Sequence, residues 1–202
     1  MRSSLSENSL DTLFRHARTH SAWLDEPVSD DVLRRIYDLM KWGPTSANSC
    51  PARILFLRTP AAKQRLLPAL SAGNVEKTMK APVTAILAHD LAFYEKLPKL
   101  FPHKPGMREL FANSAELAKV TAFRNGTLQG GYFILAARSV GLDCGPMSGF
   151  DNAKVDREFF PADASSKTCV ESNFLCNLGY GDAAQLPPRN PRLDFDEACQ
   201  LL

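Results

Sequence analysis

The sequence predicts a helix-rich domain built around a few short strands, and three observations carry that reading. Several stretches place apolar residues at the 3.6-residue period of an amphipathic helix. Two short apolar runs and one partly alternating stretch read as strands. With 202 residues, of which 45% are hydrophobic, the chain is long enough for one domain with its own core, 1–202, carrying an extended arm from about residue 182.

The elements follow in order. Leu10, Leu13, Phe14 and Ala17 recur at i, i+3, i+4 and i+7 and mark a first helix, with Ser9 as its N-cap. Ser29 caps a second, with Asp30 and Asp31 at the positive end of its dipole and Leu33, Ile36, Tyr37 and Met40 as its buried stripe. Gly43-Pro44 ends it. Residues 53–58 read as a buried strand, and Thr59-Pro60 opens a third helix with proline at its first position. Ser71-Ala72-Gly73-Asn74 reads as a turn and 83–88 as a second strand. Three prolines between 90 and 106 point to a short helix and an irregular excursion. The longest helical pattern spans 114–139, with Leu117, Val120, Phe123, Thr127, Leu128, Ile134 and Leu135 as its apolar side. Gly126, Gly130 and Gly131 each cost that helix about 1 kcal/mol against alanine, so something packs closely on it. Asp151 caps a helix to Phe160, and 167–177 reads as a third strand.

Composition excludes several classes. The 24 basic and 22 acidic residues are interspersed and leave a net charge of +2, which argues against nucleic acid or a membrane surface as partner. No apolar run approaches the roughly 20 residues of a spanning helix, and the first residues lack the apolar core of a signal peptide, so a cytoplasmic protein is expected. Cys50, Cys144, Cys169, Cys176 and Cys199 form no C-x-x-C pair and read as free thiols. His16, His20, His89 and His103 have no metal-ligand spacing. There is no G-x-G-x-x-G and no Walker loop. Ser148 comes one place late for the G-x-S-x-G elbow of a serine hydrolase.

Two narrow stretches stand out: Gly43-Pro44-Thr45-Ser46-Ala47-Asn48 and Gly145-Pro146-Met147-Ser148-Gly149. Side chains there are small enough for a ligand to approach backbone. Arg18, Thr19 and His20 precede the first, and Arg189 and Arg192 lie in the tail. Small ribbons with basic residues are the layout of a site that clamps a flat, hydrogen-bonding, phosphorylated ligand. Each piece also has a plainer reading: Arg18 as a solvated arginine, Asn74 as a turn former, Gly145-Pro146 as a tight turn.

Ala17-Arg18-Thr19-His20, Lys41-Trp42-Gly43-Pro44-Thr45-Ser46-Ala47-Asn48 and Ala72-Gly73-Asn74 together resemble the FMN-dependent nitroreductase family. Thr121-Ala122-Phe123-Arg124-Asn125-Gly126, Leu142-Asp143-Cys144-Gly145-Pro146-Met147-Ser148-Gly149-Phe150-Asp151-Asn152 and Ser172-Asn173-Phe174-Leu175-Cys176-Asn177-Leu178-Gly179-Tyr180-Gly181 look like its malonic semialdehyde reductase branch, which acts in pyrimidine degradation. The resemblance implies an α+β fold, a mixed or antiparallel sheet flanked by helices, in an intertwined homodimer whose long central helix brings its glycines against a second helix. It implies bound FMN, NADPH or NADH as a transient hydride donor, and ping-pong reduction of malonic semialdehyde to 3-hydroxypropanoate. The phosphate cluster then falls on Arg18 and His20, with Thr19 as a hydroxyl donor and Arg189 or Arg192 from the tail. Ring contacts fall on Pro44, Thr45, Ser46, Asn48 and Asn74, and the N5-facing backbone on Pro146, Met147, Ser148 and Gly149. Where many members carry a further basic residue, this chain reads Ser21-Ala22. Arg124 and Lys80 are candidate partners for the substrate carboxylate. Tyr94, a water and the flavin itself stay open as proton donor. A nitroaromatic or quinone reductase on the same flavin, and a flavin-binding protein without turnover, are the competing readings.

Overall fold

Val83–Asp90 runs without interruption through small and apolar residues and is buried along its whole length, which makes it an interior strand of the sheet. In the computed structural model, which describes residues 4–161 and 169–202, it is β2 of a four-stranded sheet ordered β1-β2-β4-β3. The others are β1 (Ala52–Leu57), β3 (Asp143–Met147) and β4 (Val170–Gly179). All three pairings are antiparallel, so the sheet is antiparallel rather than mixed. A register shift between Leu87 and Ala88 leaves Asn173 of β4 without a partner in β2, and its side chain donates to Thr127 of the long helix 115–139 at 2.8 Å.

The helices are α1 (Glu7–Leu10, running into a π-turn at Asp11–Arg15), α2 (Asp30–Met40), α3 (Pro60–Leu66), α4 (Ala72–Lys80), α5 (Leu97–Leu100), α6 (Met107–Ala112), α7 (Ala115–Ser139), α8 (Asn152–Phe159) and α9 (Phe195–Ala198). Alternation along β2 divides them. Val83, Ala85 and Leu87 face α2 and α7, whereas Ile86 joins Leu66 of α3 and Val155 of α8 on the other face. Residues 93–112 form a small lobe whose Phe93, Leu97 and Phe111 pack on Ala118 and Ala122 of α7. No described helix is long and apolar enough to cross a membrane.

The structure corrects several sequence expectations. Ser6, not Ser9, caps the first helix; its hydroxyl accepts from the Ser9 amide at 3.2 Å. Tyr37 is exposed, leaving Leu33, Ile36 and Met40 as the buried stripe of α2. Ser71 to Asn74 is not a free turn but the start of α4. Gly145-Pro146 is not a turn either: both lie in β3, and an edge strand is where proline can sit in a sheet. The strand expected over 167–177 begins at Val170, residues 167 and 168 lying outside the described residues.

α7 is turned the other way from its expected apolar face. Leu117, Val120, Phe123 and Leu128 are 40–54% exposed, while Ala118, Thr121, Ala122, Asn125, Gly126, Gln129, Gly130 and Phe133 are buried. Two of its glycines meet the sheet, not a second helix. A Cβ on Gly126 would lie 2.8 Å from Cβ of His89, and one on Gly130 would lie 2.5 Å from the Phe174 ring; Gly131 faces open space.

His89, on β2 beneath Gly126, is a buried imidazole whose two nitrogens have no hydrogen-bond partner among the described residues. Burial holds its pKa below the ordinary histidine value, opposed by Glu171, Asp156 and Asp90 and reinforced by Lys119. The unfolded chain therefore binds this proton first, from about pH 6.5 downward. The stabilisation is complete above that pH and is lost as pH falls through the folded value. His89→Leu is expected to flatten the acid limb of a stability–pH profile, by at most about 1.4 kcal/mol per pH unit. Denaturant titrations between pH 7 and 5 with parallel acid limbs for both proteins would contradict this.

Candidate functional site

Two clusters of small and polar residues form at opposite edges of the sheet. The first surrounds β3. Its free side meets the N-terminal segment, where Thr19 bridges Cys144 and the His20 amide donates to the Cys144 carbonyl at 3.0 Å. Only glycine fits at position 145, because a Cβ there would stand 2.5 Å from the His20 carbonyl oxygen. Gly181 is constrained in the same way by the His20 ring. Asp143 organises that corner: one carboxylate oxygen accepts from the Gly181 amide at 2.9 Å and the other lies 3.5 Å from Nε2 of His20. Nδ1 of His20 is buried without a partner among the described residues.

Beyond β3 the chain passes through exposed Ser148 to Gly149, whose carbonyl accepts from Nδ2 of Asn74 at 2.7 Å and from the Ser71 amide at 3.1 Å. The start of α4 is thus fastened to the glycine ribbon. Met147 anchors the ribbon from inside, buried against Thr78 and Asn177. The tail returns to the same edge. Arg18 donates to the Pro187 carbonyl, and Arg189 donates to the Ala17 carbonyl at 2.9 Å. Arg192 is exposed and donates to the carbonyls of Asn190 and Pro191.

The second cluster lies between α2 and β1. Ala47, Asn48 and Cys50 all adopt positive φ, of 51°, 48° and 42°. For non-glycine residues this conformation costs of order 1–3 kcal/mol each and persists only where neighbours enforce it. Asn125 accepts from the Ser46 amide at 2.8 Å and Thr45 Oγ1 from the Cys50 amide at 3.2 Å. Gln129 accepts from the Ala52 amide at 2.9 Å, and Asn48 Nδ2 reaches the Leu100 carbonyl at 2.9 Å. Gly43 lies against the Tyr132 ring. Pro44, Ser46 and Asn48 remain exposed at the tip, and Thr45 is half-buried.

Sequence reasoning missed the part played by α7. Thr121, Asn125 and Gln129 recur every four residues on its buried face; Asn125 holds the start of the strained turn and Gln129 the start of β1 that follows it. That spacing of polar residues beside Gly126 and Gly130 was a readable signal. Arg124 is exposed next to Asn125 and has no ion-pair partner among the described residues. Lys80 is paired with Glu76 at 2.7 Å, six residues or roughly 9 Å along α4 from Asn74. Tyr94 belongs to the packed lobe beside Phe93.

Strands β2 and β4 lie between the two clusters, so the clusters stand about 14 Å apart at the usual strand spacing. A groove of about 710 Å³ runs between α2 and β1 along the sheet edge and reaches the second cluster at Cys50, Ala52 and Gln129. No group of three His, Cys, Asp or Glu side chains is placed to hold a metal among the described residues.

Residues 15–180 match the description of the Nitroreductase family. The chain belongs to the nitroreductase family. It is 58% identical to a Burkholderia lata protein named as a candidate NADH dehydrogenase/NAD(P)H nitroreductase, over 98% of each chain. It is 55% identical to a Cupriavidus pinatubonensis protein of the same name, over 95% of this chain and 96% of the other. In fold it is similar to a candidate nitroreductase from Exiguobacterium sibiricum solved in complex with FMN, at a TM-score of 0.84 and 16% identity over the whole of both chains.

Proposed function

We propose that this nitroreductase-family chain is an FMN-dependent oxidoreductase that takes hydride from NADPH or NADH and reduces malonic semialdehyde to 3-hydroxypropanoate as a homodimer. The observation that carries the flavin reading is the β3 ribbon. An added Cβ would lie 2.5 Å from the His20 carbonyl oxygen at Gly145 and 2.6 Å from Nδ2 of Asn74 at Gly149, so the ribbon stays narrow and its backbone is open to a ligand beside the exposed Pro146 and Ser148. The cations beside it suit a phosphate: Arg18 and Arg189 cross where the tail returns, Arg192 follows three residues on, and His20 has a buried nitrogen with no partner among the described residues.

Bound FMN supplies a carrier that accepts hydride from the nicotinamide and returns it to the acceptor. The protein's own work is placement and charge. Arg18 neutralises the phosphate with Thr19 and His20 alongside. Asn74 and the 146–149 backbone present polar groups to the ring from one side, and Pro44, Thr45, Ser46 and Asn48 from the other. The strained 47–50 turn, held by Asn125, keeps those groups from relaxing when substrate leaves.

Two features support the homodimer. The clusters cannot close on one ligand from opposite edges of one sheet. The outward face of α7, with Leu117, Val120, Phe123 and Leu128, and the tail, with Leu193, Phe195, Leu201 and Leu202, also expose large apolar side chains. Malonic semialdehyde is favoured by the exposed guanidinium of Arg124, which has no ion-pair partner among the described residues and stands one residue from the Ser46 anchor, as suits a substrate carrying a carboxylate. A nitroaromatic or quinone reductase is the second reading, favoured by the names of the 55–58% identical relatives.

Anaerobic stopped-flow tests these readings in turn. Yellow protein bleached by NADPH is an enzyme and not a passive binder. Rapid reoxidation by malonic semialdehyde, slowed in Arg124→Ala, supports the assigned substrate; reoxidation by nitrofurazone alone sinks it. Arg18→Ala is expected to weaken FMN binding by about 1.5–3 kcal/mol, the worth of a charge-assisted hydrogen bond, with little change in Tm. Equal FMN affinity in both proteins would remove Arg18 from the phosphate site.

A further inference from the structure

The lobe at 93–112 has a charge distribution that the flavin site does not use. Residues 96–106 read Lys96-Leu97-Pro98-Lys99-Leu100-Phe101-Pro102-His103-Lys104-Pro105-Gly106, with three lysines, a histidine and no carboxylate. Leu97 is buried into the lobe core with Phe93 and Phe111, which leaves Lys96 and Lys99 in solvent; His103 and Lys104 follow on an exposed turn. The nearby Arg108 is committed, with bonds of 3.0 and 2.6 Å to Glu95 and a 3.6 Å approach to Glu109. Lys96, Lys99 and Lys104 have no ion-pair partner among the described residues.

This cationic surface is fixed beside the candidate site. The Leu100 carbonyl accepts from Asn48 at 2.9 Å, tying the lobe to the strained turn. Pro98, Pro102 and Pro105 each fix a backbone φ, so the lysines project from a stiff segment. The Phe101 and His103 rings stand 4.0 Å apart, and His103 leaves an aromatic face open to solvent. The two nicotinamide donors differ by one group, a 2′-phosphate carrying about −1.5 to −2 charge near pH 7. With no glycine-rich dinucleotide fingerprint in the chain, charges around the site are left to discriminate between them.

We propose that this lobe reads the 2′-phosphate of NADPH, with Lys99 and Lys104 as its cationic contacts and the Phe101–His103 pair as the surface that receives the adenine. The inference rests on the flavin reading and adds the donor preference to it. It is tested in the anaerobic reductive half-reaction of the FMN-loaded protein, with NADPH and NADH each titrated against wild type and the Lys99→Gln/Lys104→Gln variant. Wild type is expected to bind NADPH more tightly. The substitution should raise the NADPH dissociation constant about tenfold relative to that for NADH, with the limiting bleaching rate little changed. Added salt should weaken NADPH more than NADH in wild type and equalise the two in the variant. An unchanged NADPH-to-NADH ratio overturns the proposal, as does an effect confined to the acceptor, and both leave the flavin reading standing. A protein that holds no FMN overturns both.

Discussion

Gly145→Ala is expected to lower the free energy of unfolding by about 2 kcal/mol, a fall in Tm of roughly 4–8 °C for a chain of this size. The added methyl would sit 2.5 Å from the His20 carbonyl oxygen, with the Trp23 ring at 3.3 Å and Cβ of Asn177 at 3.5 Å. A flexible side chain could swing away, but the nearest atom is backbone. That backbone is held by the His20–Cys144 hydrogen bond and by the ring of His20 packed against Gly181. Relief therefore requires β3 and the 18–20 segment to separate, which moves Arg18 away from the ribbon and costs FMN as well. Gly73→Ala is the control. Its Cβ meets nothing within 4 Å and it lies in the first turn of α4, so the change should stabilise by about 0.4–1 kcal/mol. Thermal melts that coincide for Gly145→Ala and wild type would show that the ribbon is not tightly closed.

The sequence made most of the elements legible because local chemistry decides them. Ser29 and Asp151 cap the helices they were expected to cap, and Thr59 and Ser114 cap helices at the starts expected for them, each side chain accepting from a backbone amide three residues on. What was missed depends on contacts between distant segments. β3 contains glycine and proline and exists as a strand only because β4 pairs with it. α4 begins with Ser-Ala-Gly-Asn, a turn by composition, and its Ser71 makes no side-chain cap; the carbonyl of Gly149 takes that role in fixing its start. The inverted burial of α7 has the same origin. Periodicity reveals that a helix has two faces, but not which one a sheet will approach. Gly126 and Gly130 permit the sheet to come so close that His89 and Phe174 fill the contact, which leaves the bulky face outward. The candidate residues were legible as residue types. Their division between two sheet edges was not, because no local pattern encodes strand order.

That division leads to the largest effect on activity. Gly149→Val should block the β3 ribbon, since its Cβ would stand 2.6 Å from Nδ2 of Asn74. Ser46→Trp should block the opposite cluster from an exposed position whose backbone is held by Asn125. Each variant alone is expected to purify nearly colourless and inactive. In a two-fold homodimer whose sites each take the ribbon from one protomer and the 44–48 segment from its partner, mixing the variants has a definite consequence. One site of each mixed dimer receives both blocks and the other receives neither. Random pairing at equal amounts then restores about a quarter of the sites, with a matching share of bound FMN and NADPH-dependent turnover. Sites built within single chains cannot recover in this way, because every chain carries one block. Co-expression of differently tagged variants, isolation of the doubly tagged species, and FMN absorbance per protomer measure the outcome directly. Doubly tagged dimers that stay colourless would place the two clusters in separate sites and remove the exposed face of α7 from the argument for assembly.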